Sequence, residues 1–319
     1  MRLSPRRRLV ASVLCLVLAL VACGEAGGSA DDEVLVVATT SILGDIASEV
    51  VGGEGRVEVL VPLGVDSHDF APSARQASLV ATADLVVANG LGLEESMADV
   101  LDSARADGAA VLELAQLVDP IPFVEPEDHA RSEHGEGEDA HEHDDLDPHF
   151  WNDPIRVGRA ALALAASLEE ASPGGAWLDR VEDFADEMGA TDEAIATLVG
   201  DVPEDSRRLV TNHESFGYFA ARYGFELIGV VIPGGSTLAE PSSASLAALV
   251  EIMESEGVRV IFAETSQPST LAEAVAAELG DDVQVVELFT ESLGPPGSGA
   301  ETIAAMLLTN AERITTALG

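Results

Sequence analysis

The chain has 319 residues, 57 acidic against 16 basic, and a formal net charge of -41. Every basic residue is arginine; so negative a field argues against a nucleic-acid partner, and a hydrophobic fraction of 47% excludes a disordered acidic chain. Its two cysteines, Cys15 and Cys23, both lie near the N-terminus, which excludes a disulfide framework and a cysteine-based zinc finger.

In chain order, residues 1–22 predict a lipoprotein signal peptide. Arg2, Arg6, Arg7 and Arg8 precede a mostly apolar stretch of about 14 residues, too short for a comfortable membrane span. Leu20-Val21-Ala22-Cys23 resembles the bacterial lipobox, which makes Cys23 the lipidated residue. A plain signal peptide cut nearby, with Cys23 incidental, is the other reading. Residues 23–33 are small and polar and predict a flexible tether. The expected location is therefore outside the cell or in the periplasm, lipid-anchored to the outer face of a bacterial cytoplasmic membrane.

Next come short apolar runs typical of buried parallel strands, at residues 34–40, 56–61, 85–89 and 110–114. Helical stretches at 42–51, 74–81 and 96–104 separate them. A second series of strands is expected at 208–211, 226–231, 258–263 and 283–288, with helices at 216–223, 243–256 and 271–279. Alternation of this kind predicts an α/β fold with two lobes, each a mostly parallel sheet flanked by helices. The lobes are expected over residues 34–175 and 201–319.

Between the lobes, Trp177, Val181, Phe184, Met188, Ile195 and Leu198 recur at helical spacing, so residues 176–200 predict one long linker helix with a single apolar face. Gly189 is its weak point. A core helix of one larger domain is the alternative reading.

The seven histidines fall into two groups. His129, His134, His141 and His143 lie in residues 125–147, where 11 of 23 residues are acidic. That segment lacks the apolar content for a core and predicts a solvated loop. Imidazoles and carboxylates there are expected to bind metal weakly and at several places; an acidic insertion with incidental histidines is the alternative. His68, His149 and His213 are isolated instead, each in a strand-end loop, where ligands of open α/β sheets collect. Taken one at a time, each also suits a surface or capping role.

The segments VDSHDFAPSARQ, LVVANGLGLE, DPHFWNDP, TNHESFGYFAARYG, IFAETSQPST and LFTESLGPPGSGAETIAAML, with the histidine-rich insertion and the lipobox, stand in a fixed order along nearly the whole mature chain. Together they resemble the metal-specific solute-binding proteins of ABC importers, the ZnuA/TroA-like or cluster A-I family. That resemblance implies two lobes joined by a long helix, with a metal ion in the cleft between them. Carried over by motif, the implied ligands are His68 and His149 from the first lobe and His213 and Glu291 from the second. Relatives usually have aspartate where this chain has Glu291. The resemblance also implies an ABC permease as partner, a monomeric protein and no enzymatic activity.

Three imidazoles and one carboxylate suit four-coordinate Zn2+, with Mn2+ or Fe2+ the second choice because manganese prefers more oxygen. Since histidine must be neutral to bind, capture is expected to weaken as pH falls through about 6.5. A surface adhesin and, more remotely, a zinc hydrolase are the alternatives from other functional classes. The hydrolase reading lacks an HExxH, GxSxG or Walker-type motif.

Overall fold

Strand periodicity accounts for how this chain builds its layers. A computed structural model describes residues 33–124 and 146–319. Cys23, the signal segment, nearly all of the tether, and residues 125–145 with His129, His134, His141 and His143 lie outside the described residues.

The first sheet is formed by β1 (Val34–Ala38), β2 (Gly55–Val59), β3 (Leu85–Ala88) and β4 (Val111–Glu113), all parallel and in the order β2-β1-β3-β4. Helices α1 (Ser41–Val51), α2 (Ala74–Val80) and α3 (Ala98–Ala106) make its crossovers. After α4 (Pro154–Ala171) and α5 (Trp177–Gly200), the second sheet repeats the plan. It contains β5 (Arg208–Thr211), β6 (Glu226–Val230), β7 (Val260–Glu264) and β8 (Gln284–Leu288), again parallel, in the order β6-β5-β7-β8. Its helices are α6 (Gly217–Tyr223), α7 (Ser243–Glu256), α8 (Thr270–Leu279) and α9 (Ile303–Leu318). The fold is thus the two-lobed α/β architecture expected, with Val34–Gly319 packed as one compact unit.

Alternate strand residues face opposite sides of each sheet. Val36 and Ala38 of β1 enter a central core, whereas Val37 faces an outer cluster with Val86 and Leu101. In the second lobe Leu209 and Phe262 join the same central core, while Val210 and Ile261 face an outer cluster with Leu249 and Val275. One apolar core therefore runs through the middle of the molecule and touches both sheets.

The long helix fills that middle. Trp177, Val181, Phe184, Met188, Thr191, Ile195 and Val199 form its buried face, which packs in the central core beside residues of α1, α4 and α9. Its 24 residues reach about 36 Å at 1.5 Å per residue. The two readings of this segment merge: it connects the lobes and is also a core helix.

Two helices were not anticipated. Asp153 caps α4 by accepting from the amides of Ile155 and Arg156, with Pro154 at the first helical position, a start signal present in the sequence. Thr302 caps α9 in the same way through Ala305. Both helices bury an apolar face against α5.

The acidic segment also needs one correction. Leu146 pairs with Pro122 in an isolated bridge, and Asp147 is wholly buried, so the expected solvated loop does not extend to residue 147. Asp147 is drawn inside by the histidine two residues later.

Candidate metal centre

Four loops bring the candidate residues to one point. His68 follows β2, His149 precedes the turn leading into α4, His213 follows β5, and Glu291 follows β8. Their ligand atoms all lie within 4.8 Å of one another. All four side chains are buried, with none more than 1% exposed.

Local turns set the first two. In Asp66-Ser67-His68 and again in Asp147-Pro148-His149, the Asp Oδ1 accepts the backbone amide of the histidine two residues on, at 2.9 and 2.8 Å. This is the Asx turn that aspartate favours over regular structure. The repeated Asp-x-His pattern is a sequence signal for two positioned histidines. Asp66 is held in turn by the second lobe: Thr237 Oγ donates to its Oδ2 at 2.5 Å, and Gln267 Nε2 donates to the same oxygen.

Ring orientation is set by carboxylates. His149 Nδ1 lies 2.7 Å from Asp147 Oδ1, and His213 Nδ1 contacts Glu264 Oε1, at the end of the neighbouring strand β7. With Nδ1–H donated outward, each ring presents Nε2 to the centre; carboxylate–imidazole pairs orient metal-binding histidines in this way. Nothing local in the sequence links Glu264 to His213, 51 residues away. The His149 ring also stands edge-on to Trp151, whose indole N–H donates to the carbonyl of Thr290 beside Glu291 at 2.8 Å.

At the centre, His149 Nε2 and His213 Nε2 are 3.1 Å apart. Glu291 Oε1 is 3.6 Å from the former and 3.7 Å from the latter, and Glu291 Oε2 is 4.0 Å from His68 Nε2. A tetrahedral zinc site with bonds of about 2.0–2.1 Å has ligand atoms roughly 3.3 Å apart, a spacing that His149, His213 and Glu291 Oε1 approach, while His68 Nε2 stands further out. Among the described residues, both nitrogens of His68 and Glu291 Oε1 are buried with no hydrogen-bond partner. Unpaired buried polar atoms cost about 1–3 kcal/mol each, and a cation at the centre would satisfy His68 Nε2 and Glu291 Oε1 together. The donor set therefore fits a divalent metal ion.

The electrostatics agree. Burial, helped by the charges of its two histidine neighbours, pulls His68 down to about 3. Burial likewise holds His149 well below its ordinary value, with His213 adding to the effect. Burial alone would also lower His213, but the charge and hydrogen bond of Glu264, and then Glu291, push it up to about 9. Burial drives Glu291 up to about 8 against the pull of His213. At 3.1 Å, the Nε2 atoms of His213 and His149 are within reach of one shared hydrogen bond.

Residues 36–317 match the family described as ZnuA, zinc-uptake complex component A, periplasmic. Among curated relatives, the manganese-binding lipoproteins MntA of Halalkalibacterium halodurans and Bacillus subtilis are 28% and 31% identical, each match covering at least 96% of both chains. The zinc-binding protein TroA of Treponema pallidum is 29% identical over 98% of this chain and 99% of its own. The solved structure of that TroA superposes with a TM-score of 0.76 at 27% identity, covering 90% of this chain and 99% of the other.

Proposed function

The chain belongs to the zinc-uptake component A family, and from that premise we propose that it captures a divalent metal ion outside the cytoplasmic membrane and hands it to an ABC permease. Members of the family are solute-binding proteins for metal import and not enzymes. The metal is cargo here, and His68, His149 and His213 through Nε2, with Glu291 through Oε1, are the proposed ligands. One observation carries this reading: four buried donor atoms from both lobes converge within 4.8 Å, two of them unpaired.

Zn2+ is the favoured ion. The donors are three nitrogens and one oxygen, the mixture that four-coordinate zinc accepts, and two of the rings are already oriented by carboxylates. Mn2+ is the second reading, favoured by relatives named as manganese-binding lipoproteins over nearly the full chain. Because the ligands come from both lobes, binding draws the lobes together, and a permease that separates them releases the ion.

Export and attachment through Cys23 belong to the same proposal, since the MntA relatives are named lipoproteins. No helix among the described residues is long and apolar enough to cross a membrane.

Calorimetry with Zn2+ and Mn2+ tests the reading. Native protein is expected to bind Zn2+ tightly at one site and Mn2+ more weakly; His68→Ala and His213→Ala are expected to abolish the tight site. Retention of that site in either variant would refute the ligand set.

A further inference from the structure

Ser67 immediately precedes His68, and its side chain is wholly buried. Its hydroxyl donates to Glu291 Oε2 at 2.5 Å, across 224 residues and from one lobe to the other. The second carboxylate oxygen, Oε1, has no hydrogen-bond partner and faces the Nε2 atoms of His149 and His213 at 3.6 and 3.7 Å. The two oxygens of Glu291 are therefore in different chemical states: one is committed to a hydroxyl, the other is bare and aimed at the centre.

Resting on the metal-capture reading, we propose that Ser67 is a positioning residue that makes Glu291 a one-oxygen ligand and thereby biases the cleft toward four-coordinate ions. A carboxylate is able to give a metal one oxygen or two. The hydroxyl occupies Oε2 and fixes the rotation of the carboxylate plane, leaving only Oε1 free. Ser67 is itself held between Asp66, gripped by Thr237 and Gln267 of the second lobe, and His68, whose amide is tied to Asp66. The donor therefore stands on a fixed backbone.

Oε2 lies only 4.0 Å from His68 Nε2, and without the hydroxyl it is free to turn into the same space. Glu291 then offers both oxygens, and the donor set becomes three nitrogens and two oxygens. Additional oxygen and a higher coordination number suit Mn2+ better than Zn2+. The long arm of glutamate gives it the freedom to make this change, and Ser67 restrains it.

The test uses the mature native protein with Ser67→Ala and Ser67→Thr, and three probe ions: Co2+, whose visible absorption is intense in four-coordinate sites and weak at higher coordination, Zn2+ and Mn2+. Native protein and Ser67→Thr, which keeps the hydroxyl, are expected to give the intense Co2+ band. Ser67→Ala is expected to lose much of it, and its Zn2+/Mn2+ affinity ratio is expected to fall about tenfold, the worth of one hydrogen bond to a buried charged group. Should the alanine variant not fold, Ser67→Gly, which also lacks the hydroxyl, carries the same expectation. An unchanged band and ratio in Ser67→Ala, or an equal loss in Ser67→Thr, overturns the role of Ser67 while leaving metal capture intact. Native protein that binds none of the three ions overturns the capture reading and the role of Ser67 with it.

Discussion

Metal binding at neutral pH should release protons, and the structure supplies the count. His68 and His149 are held neutral by burial and have no net proton to give up. His213, raised to about 9, and Glu291, raised to about 8, both hold protons near pH 7 more tightly than the free side chains would. A cation ligated by both must displace what they carry, so between one and two protons should leave at pH 7. The sign follows directly: the metal-free form is stabilised by its protons as pH falls, so apparent affinity rises with pH until those groups are deprotonated. Each displaced proton changes affinity about tenfold per pH unit, so one proton makes capture about a hundredfold weaker at pH 6 than at pH 8, or ~2.7 kcal/mol. The sensitive window is then near pH 6 to 9, above the 6.5 expected from an ordinary histidine. Titrations of Zn2+ at pH 7 in buffers of different ionisation enthalpy give the proton number, and chelator competition from pH 6 to 9 gives the slope. Glu264→Gln removes the strongest influence raising His213 and should reduce the release. Buffer-independent heats at pH 7, together with flat affinity above 6.5, would refute the assignment.

Other perturbations follow from the same coordinates. Gly189 sits in the middle of α5 with nothing within 4 Å of where a Cβ would stand, so Gly189→Ala should stabilise the protein by about 1 kcal/mol, seen as a higher thermal midpoint; a lower midpoint would show that the long helix needs glycine there. Burial raises Asp45 to about 6 although it accepts the amide of Ile303 at the start of α9, with Glu49 and Glu187 adding to the rise. A carboxyl raised in the folded state contributes stability below its unfolded value near 3.8 and loses it as pH rises through 6. Asp45→Asn keeps an acceptor for Ile303 and should gain about 1–3 kcal/mol at pH 7.5 but little at pH 4, measured by denaturant melts; equal midpoints at pH 7.5 would contradict this. Deleting residues 127–145 should leave tight Zn2+ binding unchanged and remove only weak additional sites, and calorimetry showing loss of the tight site would reverse that division.

Much of the fold was readable because it is written locally. The runs at β1, β3, β5 and β7 are β-branched and continuous, as strands buried on both faces must be, and the linker's stripe repeats at helical spacing. Helices α4 and α9 were missed although Asp153-Pro154 and Thr302 are ordinary start signals; small alanines dilute their apolar stripes. Asp147 was placed in a solvated loop because composition averaged over 23 residues hides one that turns inward. Of the -45 left after the signal segment, residues 125–147 carry -10, and the rest lies elsewhere in the mature chain.

By itself the sequence determined the two α/β lobes, the long helix and, through motif resemblance, the four residues to watch. It could do so because hydrophobic period and short turn motifs act over a few residues. Only the tertiary structure decided that His68, His149, His213 and Glu291 share one buried point, that Glu264 and Asp147 orient two of the rings, and that Ser67 holds one oxygen of Glu291. Strand order and register bring loops from both lobes together across hundreds of residues, and the burial that results moves the protons; neither can be read from neighbours along the chain.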